Sequence, residues 1–271
     1  MPKYYILRPV KITGHGMTRI GDVIEMPDDR GSKLCTAKAG MLIDGKLDFD
    51  HEQAHQKYTT SDGTTCPGGS TIAKIGDDTG GLIHWAWQQG MDGKDYKAVR
   101  DKAAHAGLLA HHMVEAFFLK KEPTYEQFSE VDRVKANWAF RKFVEWQSEQ
   151  ELGWDASIIK PEMQFVSEAH RYGGTLDAPY RGADGKAVLV DWKTSKAIYN
   201  SFVFQLSGYE NLWNEHNPND KIARRAIVRI GKQAETGDFE VRWYGDAQIK
   251  NAFEIFKAKN NLWWTMKRCK L

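Results

Sequence analysis

Cysteine is scarce in this chain of 271 residues: Cys35, Cys66 and Cys269 are an odd number, widely spaced and without a C-x-x-C pair. That argues against a disulfide framework or a zinc knuckle and fits a reducing cytoplasm. Long apolar runs are missing as well. No stretch reaches the roughly 20 residues that a membrane-spanning helix needs, and the opening MPKYYILRPV lacks the pattern of a secretory signal. A large net charge is also absent. Lys and Arg number 38 against 36 Asp and Glu, so any contact with nucleic acid needs positive charge gathered locally. What remains, 41% hydrophobic and 27% charged residues, is the composition of a globular chain with ample core.

The chain is organised around Gly173 to Tyr209. Gly173-Gly174 open a strand through Thr175, Leu176, Asp177, Ala178, Pro179 and Tyr180. Gly182 and the Asp184-Gly185 step signal a hairpin turn. Ala187-Val188-Leu189-Val190 then reads as a buried central strand. Asp191, Trp192 and Lys193 end that run, and strand alternation puts Asp191 and Lys193 on one face and Trp192 on the other. A turn centred on Asp184 pairs Asp191 with Asp177 across the hairpin. Opposed carboxylates repel, which makes sense if a cation sits between them with the Lys193 ammonium alongside. Asp92-Gly93-Lys94 and Asp184-Gly185-Lys186 repeat the spacing, but in glycine turns where no sheet fixes the side chains.

These residues resemble the PD-(D/E)XK nuclease superfamily: G-T-x-D at Gly174 to Asp177, a hairpin, V-D-x-K at Val190 to Lys193, then Gln205-x-x-x-Tyr209. More narrowly the pattern is similar to the RecB-like branch, with its phage-type exonucleases. That branch carries G-x-x-x-H-x-x-x-E on an upstream helix, matched here by Gly107, His111 and Glu115. The resemblance spans roughly residues 58 to 245. Three cysteines are too few for the four-cysteine iron–sulfur cluster of some relatives. The phage-type relatives also have a segment like Ser70-Thr71 ahead of a helix with a Trp-Ala pair, here Trp85-Ala86.

The expected fold is α/β: a mixed central β-sheet flanked by helices, a restriction-endonuclease-like core, with a small N-terminal α+β module. Residues 1 to 48 form the module, 49 to 57 a linker and 58 to 271 the nuclease domain. In the module, Tyr4 to Ile12 and Gly21 to Met26 read as strands, and a helix from Pro27 runs to about Ala39, ended by Gly40. In the linker, His51 and His55 stand four apart but lack a third ligand, so they read as solvated. From Lys94 to Lys121, Val99, Ala103, Ala106, Ala110, Met113, Val114 and Phe117 form an apolar helical stripe. His111 and Glu115 share a face beside it, whereas His112, about 100° round the helix, reads as structural. Thr124-x-x-Gln127 reads as a capping box for a helix to about Glu151, with Trp138, Phe143 and Trp146 in the core. Pro161 to Glu168 reads as a strand with Glu162 and Glu168 as accessory carboxylates, though a solvated strand edge suits Glu168 better.

After the hairpin, Ser201 to His216 is a helix whose Gln205 and Tyr209 share a face. The resemblance places that pair near the scissile end of DNA; the alternative is that Tyr209 packs under the sheet. Lys196 joins them as a substrate-binding candidate. Lys221 to Ile230 and Phe239 to Tyr244 are further strands, and the last helix, from about Asp246 to Lys267, begins a segment that carries Lys250, Lys257, Lys259, Lys267, Arg268 and Lys270. A basic face can track phosphates, but such runs are more often solvated surface.

The expected chemistry is metal-dependent hydrolysis of DNA phosphodiesters, acting as an exonuclease in phage-type recombination or repair. Asp177, Asp191 and the Trp192 carbonyl offer oxygen ligands for Mg²⁺ or Mn²⁺, and a His111 imidazole shifts preference toward Mn²⁺. Lys193 and Glu115 complete the catalytic set; Lys193 either stabilises the phosphoryl charge or acts as base. The partner is linear duplex or single-stranded DNA, with a homo-oligomer or a recombination protein possible. Three rival readings remain: a structure-specific endonuclease or nickase, a non-catalytic DNA-binding protein on a nuclease scaffold, and an assembly protein whose carboxylates hold a stabilising ion.

Overall fold

The computed structural model describes residues 1–37, 40–49, 57–149, 162–182, 184–231 and 239–269. The expectations for His51, His55 and Lys270 fall outside that set. Strand alternation organises the first segment. In β1 (Lys3–Ile6), Tyr4 and Ile6 face a small cluster with Ile12 and Met26. Tyr5 points the other way into the main core. A ribbon of β2 (Lys11–Ile12) and β3 (Gly16–Met17) follows. β4 (Val23–Glu25) and β5 (Gly40–Leu42) flank β1 in an antiparallel sheet. Between them lies α1 (Asp28–Thr36), with Pro27 as its N-cap residue and two aspartates in its first turn. Gly40, expected to end that helix, instead begins β5.

The first strands are tied to the helices beyond them. The Tyr5 hydroxyl donates to the Lys121 carbonyl at 2.7 Å. Lys3 pairs with Glu122 at 2.7 Å, and Arg141 with Asp22 at 2.7 Å. β6 (Lys46–Leu47) runs parallel to β9 (Glu122–Pro123). A second ribbon, β7 (Tyr58–Thr59) with β8 (Thr65–Cys66), leads to α2 (Gly69–Ala73) and α3 (Gly80–Met91).

α4 (Tyr96–Phe118) starts where Asp95 accepts from the Lys97 N–H. Its Ala106, Leu109, Ala110, Val114 and Phe117 are buried, as their spacing demands. α5 (Glu130–Glu149) starts later than the Thr124 capping signal predicts. Ser129 provides the cap: its Oγ accepts from the Asp132 N–H at 3.2 Å and donates to the Asp132 carboxylate at 2.6 Å. Thr124 instead accepts from the Phe49 N–H at 3.1 Å. Phe143 and Trp146 are buried as expected, but Trp138 is 41% exposed.

β10 (Met163–Ser167) pairs antiparallel with β11 (Tyr172–Leu176). The chain then crosses to the central sheet, ordered β12 (Ala178–Arg181), β13 (Ala187–Lys193), β14 (Ile222–Ile230), β15 (Phe239–Trp243). β13 and β14 are parallel and the outer pairings antiparallel, so the sheet is mixed and the fold α/β. A parallel pair needs a crossover, supplied by α6 (Asn200–His216). Residues 187 to 190 are fully buried. Val188, Val190 and Trp192 face the core shared with α4 and α5, while Ala187 and Leu189 face the core under α6 and α7 (Asp246–Cys269). Each such side chain larger than alanine contributes about 1.5–3 kcal/mol of burial. Among the described residues, no helix is long and apolar enough to cross a membrane.

Candidate active site

Asp177 occupies the joint between β11 and β12, outside both ladders. The hairpin pairs Ala178 with Val190, and one further step of that register brings Asp177 alongside Asp191. The Asp177 carboxylate accepts from the Trp192 N–H at 2.9 Å. Its carbonyl accepts from the Glu162 N–H at 3.2 Å. The Trp192 ring turns to the opposite face, edge-on to Phe143 at 4.8 Å and Trp146 at 5.6 Å. Asp191 is fully buried, and Lys193 Nζ lies 2.6 Å from its Oδ2. That ammonium also stands over the Phe202 ring at 5.3 Å.

Burial pushes the Asp191 carboxyl up to about 6, with Asp177 adding to the rise and Lys193 and His111 opposing it. Burial raises Asp177 too, against the pull of Lys193 and the Trp192 N–H. Burial works against the Lys193 charge, but Asp191 and Asp177 outweigh it and hold the ammonium above its usual range. Glu162 is raised well above a normal carboxyl by burial, then by Asp177, Glu115 and Asp191. Four acids therefore share one low-dielectric space with a single lysine. Glu162 also takes a left-handed backbone, φ 54°, uncommon for a glutamate. In the sequence it was marked only by lying at the head of a strand. Glu168 is elsewhere: exposed, it accepts from the Ser61 N–H and hydroxyl.

His111 and Glu115, one turn apart on α4, both act electrostatically on this cluster. His112 is buried against Phe49, with rings 5.3 Å apart, and burial lowers its pKa. Lys196 is exposed on the loop after β13.

Gln205 and Tyr209 share a face of α6, where Gln205 Nε2 donates to the Tyr209 hydroxyl at 2.8 Å. Both are buried. Burial, then the Asp191 and Asp177 charges, raise the phenol far above its usual value, so the ring belongs to the core while its hydroxyl feels the acids. Two glycines make room for this arrangement. A Cβ at Gly174 would lie 2.5 Å from the Tyr209 ring, and one at Gly173 would lie 2.1 Å from the Tyr58 ring. The Gly-Gly pair thus lies inside β11 as a close-approach surface rather than at its opening. Tyr58, whose hydroxyl is 2.9 Å from Thr175 Oγ1, carries no sequence signal of this role.

Both carboxylate oxygens of Asp191 are buried without a hydrogen-bond partner; the Lys193 contact is an ion pair rather than an aligned hydrogen bond. Two carboxylates that share one ammonium in a buried space are costly, and a hard cation between Asp191 and Asp177 suits the oxygen donors. Among the described residues, no group of three or more His, Cys, Asp or Glu side chains is set to hold a metal.

No family profile matches the chain, and no curated protein matches it. Among solved structures, it is similar to a Eubacterium rectale protein provisionally named an exonuclease, at 10% identity and a TM-score of 0.39, covering 92% of this chain and 88% of that one. It is also similar to the protein SSO0001, at 16% identity and a TM-score of 0.26. That match covers 42% of this chain, which spans 57% of SSO0001.

Proposed function

We propose that the chain is a Mg²⁺- or Mn²⁺-dependent deoxyribonuclease, acting as an exonuclease on linear DNA in phage-type recombination or repair. The supporting observation is the Asp177 and buried Asp191 pair beside Lys193, at the end of the central parallel strands. Asp177 and Asp191 would hold the cation, with the Trp192 carbonyl and His111 as further donors. When bound, it would lower the pKa of a water and draw charge from the phosphoryl oxygens. Lys193 Nζ, kept cationic by the acids, neutralises charge on the attacked phosphate. Glu115 and Glu162 accept protons at their carboxylates next to the attacking water. The Tyr209 hydroxyl, oriented by Gln205, meets the scissile nucleotide, and Lys196 meets a neighbouring phosphate.

The test incubates end-labelled linear duplex, single-stranded and covalently closed circular DNA with Mg²⁺, Mn²⁺ or EDTA. Metal-dependent loss of linear DNA with circles spared is expected. Cutting of circles would replace the exonuclease with an endonuclease, and inert DNA under every metal would overturn the nuclease reading.

A further inference from the structure

A second feature lies at the other end of β11. The β10–β11 turn and the last turns of α7 enclose an open cleft of about 560 Å³. His170, Arg171, Lys257, Asn260, Trp264 and Arg268 line it, and no carboxylate does. Its cations differ in how far they are neutralised. Arg171 pairs with Asp62 at 3.0 Å and Lys257 with Glu254 at 2.9 Å. Arg268 donates to Thr265 Oγ1 at 3.1 Å and has no acidic partner among the described residues.

The lining is fixed in place. Asn260 is 97% buried, being 3% exposed. Its Nδ2 donates to the His170 carbonyl at 2.6 Å, while its Oδ1 has no partner. Trp264 Nε1 donates to the Arg171 carbonyl at 3.1 Å. Arg171 takes a left-handed backbone, φ 54°, the kind of local strain that a built site tolerates. A cleft with cations on its wall and an aromatic side suits a phosphate carried by a nucleotide.

We propose that this cleft binds a backbone phosphate of the DNA strand, away from the acidic cluster; the proposal rests on the nuclease reading for its substrate. Six residues of extended chain separate Arg171 from Asp177, roughly 20 Å at strand rise. That matches about six base pairs of duplex. The cleft therefore holds the substrate beyond the bond being cut and gathers positive charge locally in a near-neutral chain.

The experiment compares wild type with the cleft variant Lys257→Gln/Arg268→Gln. Binding of a fluorescent two-turn duplex is read by anisotropy in EDTA across a salt series, separately from cleavage. The variant should bind about tenfold more weakly, with a salt slope shallower by about two. Its KM on long duplex should rise with kcat unchanged, and the difference should vanish on duplexes shorter than about six base pairs. Equal binding and salt slope, with wild type still cleaving DNA, would overturn the cleft and leave the nuclease reading intact. Binding that is lost in the variant while wild type cleaves nothing would keep the cleft and overturn the nuclease. Thymidine monophosphate distinguishes a strand from a free nucleotide. If calorimetry shows it binding wild type but not the variant, while duplex affinity is the same in both, the cleft is a mononucleotide site and the proposal falls.

Discussion

At the level of single residues, the acidic cluster makes separate predictions for activity and stability. Asp191→Ala and Lys193→Ala should each reduce DNA cleavage at least a hundredfold. A loss within about tenfold, roughly 1.4 kcal/mol of barrier, would show that other residues carry the chemistry. Stability should respond through pH. The Asp191 carboxyl has an ordinary value of 3.8 and rises to about 6 in the fold. Below the lower value it is protonated in both folded and unfolded chains and contributes nothing. Between the two the folded chain binds more protons, so stability falls as pH rises, and the full penalty stands above about 6. Asp191→Asn should therefore flatten the slope of Tm against pH between about 4 and 6 in EDTA, while the height of the curve also carries the loss of the Lys193 ion pair. An unchanged Tm profile would mean the carboxylate is already compensated. The two histidines separate in the same manner. His111→Ala should raise the Mn²⁺ concentration needed for activity, whereas His112→Ala should lower Tm by emptying a buried site and leave the Mn²⁺ requirement alone. Equal effects on the metal titration would remove His111 from the ligand set.

At the level of elements, what could be read in advance was what strict periodicity encodes. The alternation of residues 187 to 193 placed Asp191 and Lys193 on one face of β13 and Trp192 on the other, and the Asp184-Gly185 turn set the register that brings Asp177 to Asp191. Helical spacing likewise put His111 with Glu115 and Gln205 with Tyr209. What was not legible depended on contacts between segments far apart in the chain. Thr124-x-x-Gln127 has local chemistry close to that of Ser129-x-x-Asp132, but the Thr124 hydroxyl is taken by the distant Phe49 N–H. Gly173-Gly174 read only as the opening of a strand, since glycine is usually placed for its permissive backbone; here the missing Cβ atoms matter, because two tyrosine rings take their space. Gly174→Ala should therefore cost about 1–3 kcal/mol by overpacking and slow cleavage by displacing Tyr209. Pairing it with Tyr209→Leu should recover part of the lost Tm in a double-mutant cycle. Additive losses would show that the two positions do not press on each other.

At the level of the whole molecule, the first 48 residues contribute to a core they do not enclose by themselves. Tyr5 stacks edge-on against Phe117 at 5.4 Å and lies 5.9 Å from Phe140, both on helices that also cover β13. A chain lacking residues 1 to 48 should expose that aromatic surface and aggregate or lose cooperative unfolding, as size-exclusion chromatography and thermal melting would report. A soluble, cooperatively melting truncation would show the opening segment to be dispensable. Asp177 has a different consequence. Its side chain holds the Trp192 amide and its carbonyl holds the Glu162 amide, so both amide protons are tethered to the residue at the crossing between two sheets. Those two amides are resident reporters. In a nitrogen–proton correlation spectrum, anything that changes the charge on Asp177 would move the Trp192 cross-peak first, before a single phosphodiester has been broken.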